Sequence, residues 1–249
     1  MKKVAFILIG VLLSFDGMTQ CPTTALSSEN EAPNNGAQFS DYSKVSNKLH
    51  ISGSFDEQTF AFGGHQVQSV VTGPGRFNNY LMQLSTNGQV DWLKVVGEKY
   101  FNSYSNKLLS LNDGVVSAMD FTDTLILDQM YVADIQDVLL VRYDLFGNTE
   151  WVSQIQASST VQVVSLATDD SDNIYVLGNF TDSVSIDGLS IQIEGSPQTL
   201  NGEIFLAKID PFGNTMWLKY LGGGTGNDVA ICMAYDNEKL FLSGFFTGE

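Results

Sequence analysis

Few residues of this sequence have the types and spacing that catalysis or metal binding requires. The two histidines, His50 and His65, have no carboxylate partners at a spacing typical of a metal site, and we interpret both as strand or turn positions. No Gly-x-Ser-x-Gly is present. The glycine run at 222–227 is followed by Asp228 instead of the Lys and Ser or Thr of a phosphate-binding loop, so we interpret it as a tight loop. The sequence therefore predicts no catalytic residue, no cofactor and no metal ligand.

Two groups of acidic residues allow more than one functional interpretation. Residues 169–173 have the composition of a calcium loop, but an EF-hand needs Gly at the sixth position, where this chain has Ile174. We interpret the segment as a turn between strands, with weak Ca²⁺ binding as the alternative. Asp120 and Asp123 would suit glycosidase chemistry if their carboxylates lay about 5–9 Å apart. Sequence spacing does not establish that distance.

Three tryptophans occupy the same place in a repeated phrase, which ends in Asp-Trp92, Glu-Trp151 and Met-Trp217. Each is followed after 29 residues by a phenylalanine of a second repeated phrase, at Phe121, Phe180 and Phe246. The interval from the phenylalanine of one unit to the next tryptophan varies, being 37 residues from Phe55, 30 from Phe121 and 37 from Phe180. A constant interval beside a variable one indicates an internal repeat with one loop of changing length. We predict that the tryptophans pack between repeats, with an aromatic ligand platform as the alternative.

Strand-like segments follow one another in a fixed order within each repeat. In the third repeat we predict strands at 161–167, 174–180, 203–209 and 216–221, with a hairpin-like arm at 183–194. The fourth repeat begins with strands at 229–235 and 240–246. Four strands per ~60–66 residues, with no convincing helical period, predict an all-β β-propeller of four-stranded blades, about 3.5 of them present. Tandem immunoglobulin-like sandwiches are the alternative, but they need ~100 residues and ~7 strands per unit.

The repeated phrases include Lys208–Asp210, Asp228–Ala230 and Asp170–Tyr175, in addition to the Gly-Asn-x-x-Trp phrase. Together they resemble the bacterial SBBP-type β-propeller repeat, a family common in exported proteins. The resemblance extends over about residues 38–249 and implies a propeller fold without implying one activity. The second repeat departs from the pattern at Gln129 and Gln156, which predicts looser turns there.

The first twenty residues are predicted to be a secretory signal peptide cleaved near Gln20. Lys2 and Lys3 precede an apolar run of 12 residues, which is too short to span a bilayer. Lipidation of Cys21 is the alternative, but a lipoprotein signal normally has a small residue where this chain has Gln20. No later stretch approaches 18 apolar residues, so we expect no transmembrane helix in the mature chain.

The remaining chain divides into a lead-in and the repeats. We expect a flexible segment at 21–37 and propeller repeats at 38–249, with blades at about 38–99, 100–157 and 158–223 and a partial blade at 224–249. Because an open arc leaves a sheet edge bare, we expect missing blades or a partner chain to close the ring. Cys232 lies in an apolar run and is predicted to be a small buried hydrophobic residue.

Composition limits the partners. The formal net charge of −16 argues against nucleic acid as a partner, and a hydrophobic content of 43% excludes a disordered chain. We predict an exported protein, secreted or attached to the outer surface, whose non-enzymatic scaffold binds a protein or a glycan through its loops. A hydrolase or lyase acting on polysaccharide and a purely structural segment of a larger adhesin are the alternatives.

Overall fold

The computed structural model describes residues 38–55, 58–62, 65–72, 77–85, 87–100, 106–193, 202–222 and 227–246. These residues form antiparallel strands, and the described part of the chain contains no helix. The predicted signal peptide, the lead-in and the centre of the glycine run at 223–226 lie outside the described residues.

The strands follow the repeat. The first unit contains β1 (Gln38–Val45), β2 (Lys48–Phe55), β3 (Thr59–Phe62), β4 (His65–Gln68), β5 (Phe77–Ser85) and β6 (Val90–Tyr100). The second contains β7 (Asn106–Leu111), β8 (Gly114–Ile126), β9 (Met130–Val132), β10 (Asp137–Asp144) and β11 (Thr149–Ala157). The third contains β12 (Val161–Thr168), β13 (Ile174–Phe180), β14 (Ser183–Ile186), β15 (Leu189–Gln192), β16 (Glu203–Ile209) and β17 (Thr215–Leu221). The fourth contains β18 (Val229–Asp236) and β19 (Lys239–Phe245).

Each complete unit is a four-stranded antiparallel sheet. The orders are β1-β2-β5-β6, β7-β8-β10-β11 and β12-β13-β16-β17, and β18 pairs with β19 in the fourth unit. An arm separates the second and third strands of each complete unit: the β3–β4 hairpin, the end of β8 paired with β9, and the β14–β15 hairpin. The prediction of an all-β chain with repeated four-stranded units is therefore confirmed. The ring is not closed by the described strands.

The arms join neighbouring units. The end of β8 pairs with β6 at Gly97 and Ile126, and β14 pairs with β11 at Gln156 and Ser185. These bonds satisfy backbone groups that an edge strand would otherwise expose. The second repeat departs from the pattern at Gln129 and Gln156. Gln156 lies in the β11–β14 pairing, and the backbone carbonyl of Gln129 accepts a hydrogen bond from the Leu127 N–H at 3.0 Å.

The core lies between successive sheets. In the largest cluster, Val138, Leu140 and Ile155 of the second unit share one buried cluster with Val163 and Val176 of the third. Because a middle sheet is covered on both faces, strands such as β13 are buried almost throughout. This double burial explains why the strand sequences are continuous apolar runs and do not alternate between apolar and polar residues.

The prediction for Cys232 was wrong. Its side chain is half-buried on β18, with Sγ 3.4 Å from the Ser243 hydroxyl, and it is disulfide-bonded. The sequence contains one other cysteine, Cys21, which lies outside the described residues. An apolar run does not reveal which of its residues face away from the core.

Candidate binding surface

The short turns of all four units gather at one edge of the sheets. Because adjacent strands run in opposite directions, the turn after a unit's first strand and the turn after its third strand lie at the same end. We call this edge the turn face. It comprises the first-to-second-strand turns at 46–47, 112–113, 169–173 and 237–238 and the third-to-fourth-strand turns at 87–89, 144–148 and 210–214.

The turn at 144–148 is fixed by one aspartate. Asp144 Oδ1 accepts hydrogen bonds from the backbone N–H groups of Phe146 and Asn148, each at 2.8 Å. The Asn148 side-chain amide donates to Asp144 Oδ2 at 2.9 Å. Gly147 adopts φ 79°, a conformation that favours glycine. The Asp144 carboxylate therefore accepts hydrogen bonds from backbone N–H groups of the turn, where the chain reverses and strand-to-strand bonds end.

The turn at 210–214 repeats this geometry. Asp210 Oδ1 accepts from the N–H of Phe212 at 2.9 Å and of Asn214 at 2.8 Å, and Gly213 has φ 89°. The bonds from Asn214, side chain first and then backbone, hold the pKa of Asp210 below its usual value. Pro211 fixes its own φ within the turn. Both turns are thus held by the same set of bonds.

Each of the two turns carries an exposed phenylalanine. The side chains of Phe146 and Phe212 are 80% and 81% exposed, although the strands that precede these turns, β10 and β16, are buried almost throughout. Neither ring belongs to a buried cluster, so the fold gains little from them. The equivalent turn of the first unit has an exposed Asn87 in this place.

A tryptophan of the preceding unit supports each turn from below. The Trp92 indole donates to the Leu145 carbonyl, and the Trp151 indole donates to the Pro211 carbonyl, both at 3.1 Å. A Cβ at Gly147 would lie 2.9 Å from the Trp92 ring, so only glycine fits there. The prediction that these tryptophans pack between repeats is confirmed.

His50 is buried in a polar network between the first and second units. Its Nδ1 lies 2.7 Å from Ser110 Oγ and its Nε2 lies 2.9 Å from Gln83 Oε1. Because an amide oxygen only accepts, Nε2 carries the proton and Nδ1 accepts from the serine hydroxyl. Burial lowers the pKa of His50 to about 4, although the Gln83 bond opposes this shift. The side chain is therefore neutral and structural, and His65 is exposed on β4.

Asp169 and Asn173 of the segment considered for calcium binding are hydrogen-bonded within the protein, whereas Asp170 and Asp172 are exposed. Asp169 accepts hydrogen bonds from Asn173 and Tyr175 and forms a 2.9 Å ion pair with Lys208. Burial would raise the pKa of Asp169, but the bonds from Asn173 and Lys208 outweigh it and lower the pKa to about 2. No group of three metal-binding side chains occurs among the described residues.

The two carboxylates considered for glycosidase chemistry have different surroundings. Asp120 is buried on β8, and Asp123 is half-buried, has φ 62° and accepts from the Thr124 hydroxyl. Neither of them lines the cavity bounded by Leu177, Ile204 and Leu242. The repeated Gly-Asn-x-x-Trp phrase does not reveal that the phenylalanines directly before it, Phe146 and Phe212, are exposed.

Comparison with known proteins supports the repeat architecture. The chain is 25% identical over 194 residues to a protein named "Uncharacterized WD repeat-containing protein L264", of Acanthamoeba polyphaga mimivirus. The alignment covers 67% of this chain and 14% of that relative, so the chain spans about one seventh of its length. No family model matches the chain. The likeness to a WD-repeat protein agrees with the propeller-type units of the structure.

Within the described part of the chain, no helix is long and apolar enough to cross a bilayer.

Proposed function

We propose that this protein is a non-enzymatic propeller scaffold that binds a protein partner through its turn face. The observation that carries the proposal is the pair of exposed phenylalanines, Phe146 and Phe212, on equivalent turns that their aspartates hold in one conformation. Fixed turns lose little conformational freedom on binding, which favours affinity. The likeness to a WD-repeat protein supports a repeat scaffold with protein partners.

The two rings can act as anchors of an interface. Burying a phenylalanine that is exposed in the free protein stabilises a complex by about 2 kcal/mol. Aromatic anchors of this kind account for a large share of the binding energy in many interfaces. A net charge of −16 disfavours nucleic acid as the partner. The alternative ligand is a glycan, because carbohydrates also stack on aromatic rings. A glycan array tests this alternative directly.

Photo-crosslinking tests the proposal. A photoreactive phenylalanine analogue replaces Phe146 or Phe212. The control carries the same analogue in place of Gln192, which is exposed on the β14–β15 arm. The protein is irradiated with intact cells and with the medium of the native organism. We expect protein adducts from positions 146 and 212 but not from 192, and competition by unlabelled wild type.

The competitor decides between specific and incidental adducts. A Phe146→Ser/Phe212→Ser double variant should fold as wild type does, since both rings are exposed, but should not compete. Equal competition by the double variant, or the absence of adducts, would refute the turn face as the binding surface.

We also propose that the mature protein is exported, secreted or attached to the outer surface, with its arc completed by further blades or a partner chain. The support for export is the basic start and apolar run before Cys21. Mass spectrometry of the mature N-terminus distinguishes cleavage near Gln20 from an uncleaved chain and from lipidation of Cys21, which would leave the Cys21 sulfur unable to form a disulfide.

A further inference from the structure

The turns of the turn face are acidic as well as aromatic. Together they contain seven acidic residues and no basic residue. Six of these acids lie in the second and third units, at Asp113, Asp144, Asp169, Asp170, Asp172 and Asp210. The two turns of the first unit contain none, and one of them has Asn87 where the other units have phenylalanine. Exposed rings and carboxylates therefore occur together, in the same two units.

The first unit shows that the fold requires neither feature. Its third-to-fourth-strand turn closes with a hydrogen bond from the Ser85 N–H to the Gln89 carbonyl at 2.9 Å, and Gly88 has φ 84°. Ser85 holds the position of Asp144 and Asp210 in the repeat. A serine at this position is thus sufficient for the chain reversal. The carboxylates and rings of the other two units add chemistry to the surface.

More acidic side chains lie beside the turns that carry the phenylalanines. In the second unit the turns at 112–113 and 144–148 flank the same pair of strands, β8 and β10. In the third unit the turns at 169–173 and 210–214 flank the pair β13 and β16 in the same way. Neighbouring strands lie about 4.8 Å apart, so a ligand that covers one turn also reaches the carboxylates of the other.

The carboxylates within the two phenylalanine turns are ionised and have no cationic partner. Burial alone would raise the pKa of Asp144, but the hydrogen bonds within the turn, led by those from Asn148, outweigh this effect and lower it. Bonds from Asn214 lower the pKa of Asp210. Among the described residues, neither aspartate forms an ion pair.

The cations beside these turns are already engaged. Arg142 pairs with Asp113 at 2.7 Å, and Lys208 pairs with Asp169 at 2.9 Å. Lys94 lies beneath the turn at 144–148, with its Nζ 5.7 Å from the centre of a buried tyrosine ring. The excess negative charge around the exposed rings is therefore open to a cation from outside.

The protein itself contains the type of contact that such a cation would make. The Lys208 ammonium group lies 2.9 Å from the Asp169 carboxylate and 4.9 Å from the centre of the Tyr175 ring. A carboxylate and the face of an aromatic ring attract the same cation together. Phe146 and Phe212 each lie two residues after an ionised aspartate, and among the described residues no cation contacts either ring.

The two phenylalanine turns are neighbours. Trp151, five residues after Phe146, donates its indole hydrogen bond to the carbonyl of Pro211, directly before Phe212. Packed sheets lie about 10 Å apart, and an extended chain advances about 3.3 Å per residue. An extended segment of about four residues or more therefore spans both turns.

We propose that the turn face of the second and third units binds a segment of its protein partner that is rich in arginine or lysine. Cationic side chains of that segment lie over Phe146 and Phe212 and beside Asp144 and Asp210. Because it names the chemistry of the partner at the same surface, this inference rests on the proposed function. Charge complementarity adds specificity and a faster encounter to the apolar contact of the rings.

Three fluorescent peptides of equal length and apolar content test the sign of the charge. They consist of four repeats of Arg-Gly-Leu, of Gln-Gly-Leu or of Glu-Gly-Leu. We expect saturable 1:1 binding of the arginine peptide to the full chain, at least about 30-fold weaker binding of the glutamine peptide, and no binding of the glutamate peptide. Raising the salt from about 0.05 M to about 0.5 M should weaken the arginine peptide about tenfold, because exposed ion pairs are screened.

Matched protein variants separate the turn face from the overall acidity. Asp170→Asn/Asp172→Asn removes two exposed charges beside the Phe212 turn and should weaken the arginine peptide about three- to tenfold. Asp134→Asn/Asp182→Asn removes two exposed charges at the opposite ends of the strands and should change its affinity less than about twofold. Asparagine suits the positive φ of Asp172 and Asp182, and circular dichroism checks that both variants fold.

Three outcomes overturn the proposal: no binding of the arginine peptide, equal affinity of the arginine and glutamine peptides, and equal losses in the two asparagine variants. The last of these would show that only the net charge of the protein attracts the peptide.

The photo-crosslinking assay keeps this test apart from that of the proposed function. If adducts form at positions 146 and 212 and the arginine peptide does not displace them, the turn face binds a partner that is not basic, and only the cationic chemistry is refuted. If no adducts form at either position, the turn face itself is refuted as the binding surface.

Discussion

Acid should weaken this protein through His50, and the structure sets the size of the effect. The imidazole is 0% exposed and neutral, and burial lowers its pKa from 6.5 to about 4. Between these values the unfolded chain binds a proton that the folded chain does not. The contribution of the neutral His50 to the free energy of unfolding is therefore fully present above pH 6.5, and it is lost as the pH falls to about 4. A shift of that size corresponds to roughly 3 kcal/mol at 1.36 kcal/mol per pKa unit.

Urea unfolding at pH 7.5 and pH 4.5 measures the loss. Other groups titrate in this range, so the informative quantity is the loss in wild type minus the loss in His50→Gln, which keeps a polar side chain beside Ser110 and Gln83. We expect this difference to be about 2.5 kcal/mol. Because Asp41 and Asp137 are present in both proteins, their raised carboxyl pKa values cancel.

A matched substitution strengthens the measurement. His65→Gln replaces the other histidine, which is exposed on β4, and should behave as wild type does. If wild type and His50→Gln lose the same free energy between the two pH values, His50 is not held neutral by burial and the reasoning fails.

Three further changes probe the contacts between and within units. Trp151→Phe removes the indole bond to the Pro211 carbonyl and should lower the free energy of unfolding by about 1–2 kcal/mol, seen as a lower urea midpoint at unchanged slope. Gly178→Ala forces a methyl group against the Phe205 ring and should cost about 2–3 kcal/mol in the same assay; an unchanged midpoint would contradict the close packing. Arg142→Met should leave stability equal or raise it by about 1 kcal/mol, because the buried guanidinium has one nitrogen without a hydrogen bond and its carboxylate partners are exposed. A large loss for Arg142→Met, measured by calorimetry, would show that its two ion pairs are strongly stabilising.

Local pattern was sufficient for most of the strands. The predicted segments 174–180 and 203–209 coincide with β13 and β16, and the predicted arm at 183–194 contains β14 and β15. Turn residues and apolar runs fix these elements because each depends on neighbours within a few positions. The tryptophans were also interpretable, since a residue that recurs at one strand position must meet the same neighbour in every unit.

Exposure and pairing over long distances required the tertiary structure. Phe146 directly precedes the Gly-Asn-x-x-Trp phrase and Phe180 belongs to the second repeated phrase. Phe146 is exposed and Phe180 is core, because only Phe180 lies between two packed sheets. The partial exposure of Cys232 similarly depends on which side of β18 faces the core. His50 finds its partners 33 and 60 residues away, a contact that no local spacing encodes.

The sequence by itself determined the repeat, the strand order and the turns, because these follow from residues close together in the chain. The tertiary structure alone decided which aromatic rings remain exposed and which histidine is buried. Those properties depend on how one sheet covers the next, and that covering joins residues more than sixty positions apart, as in the Ser165–Met233 and Leu108–Asp41 hydrogen bonds.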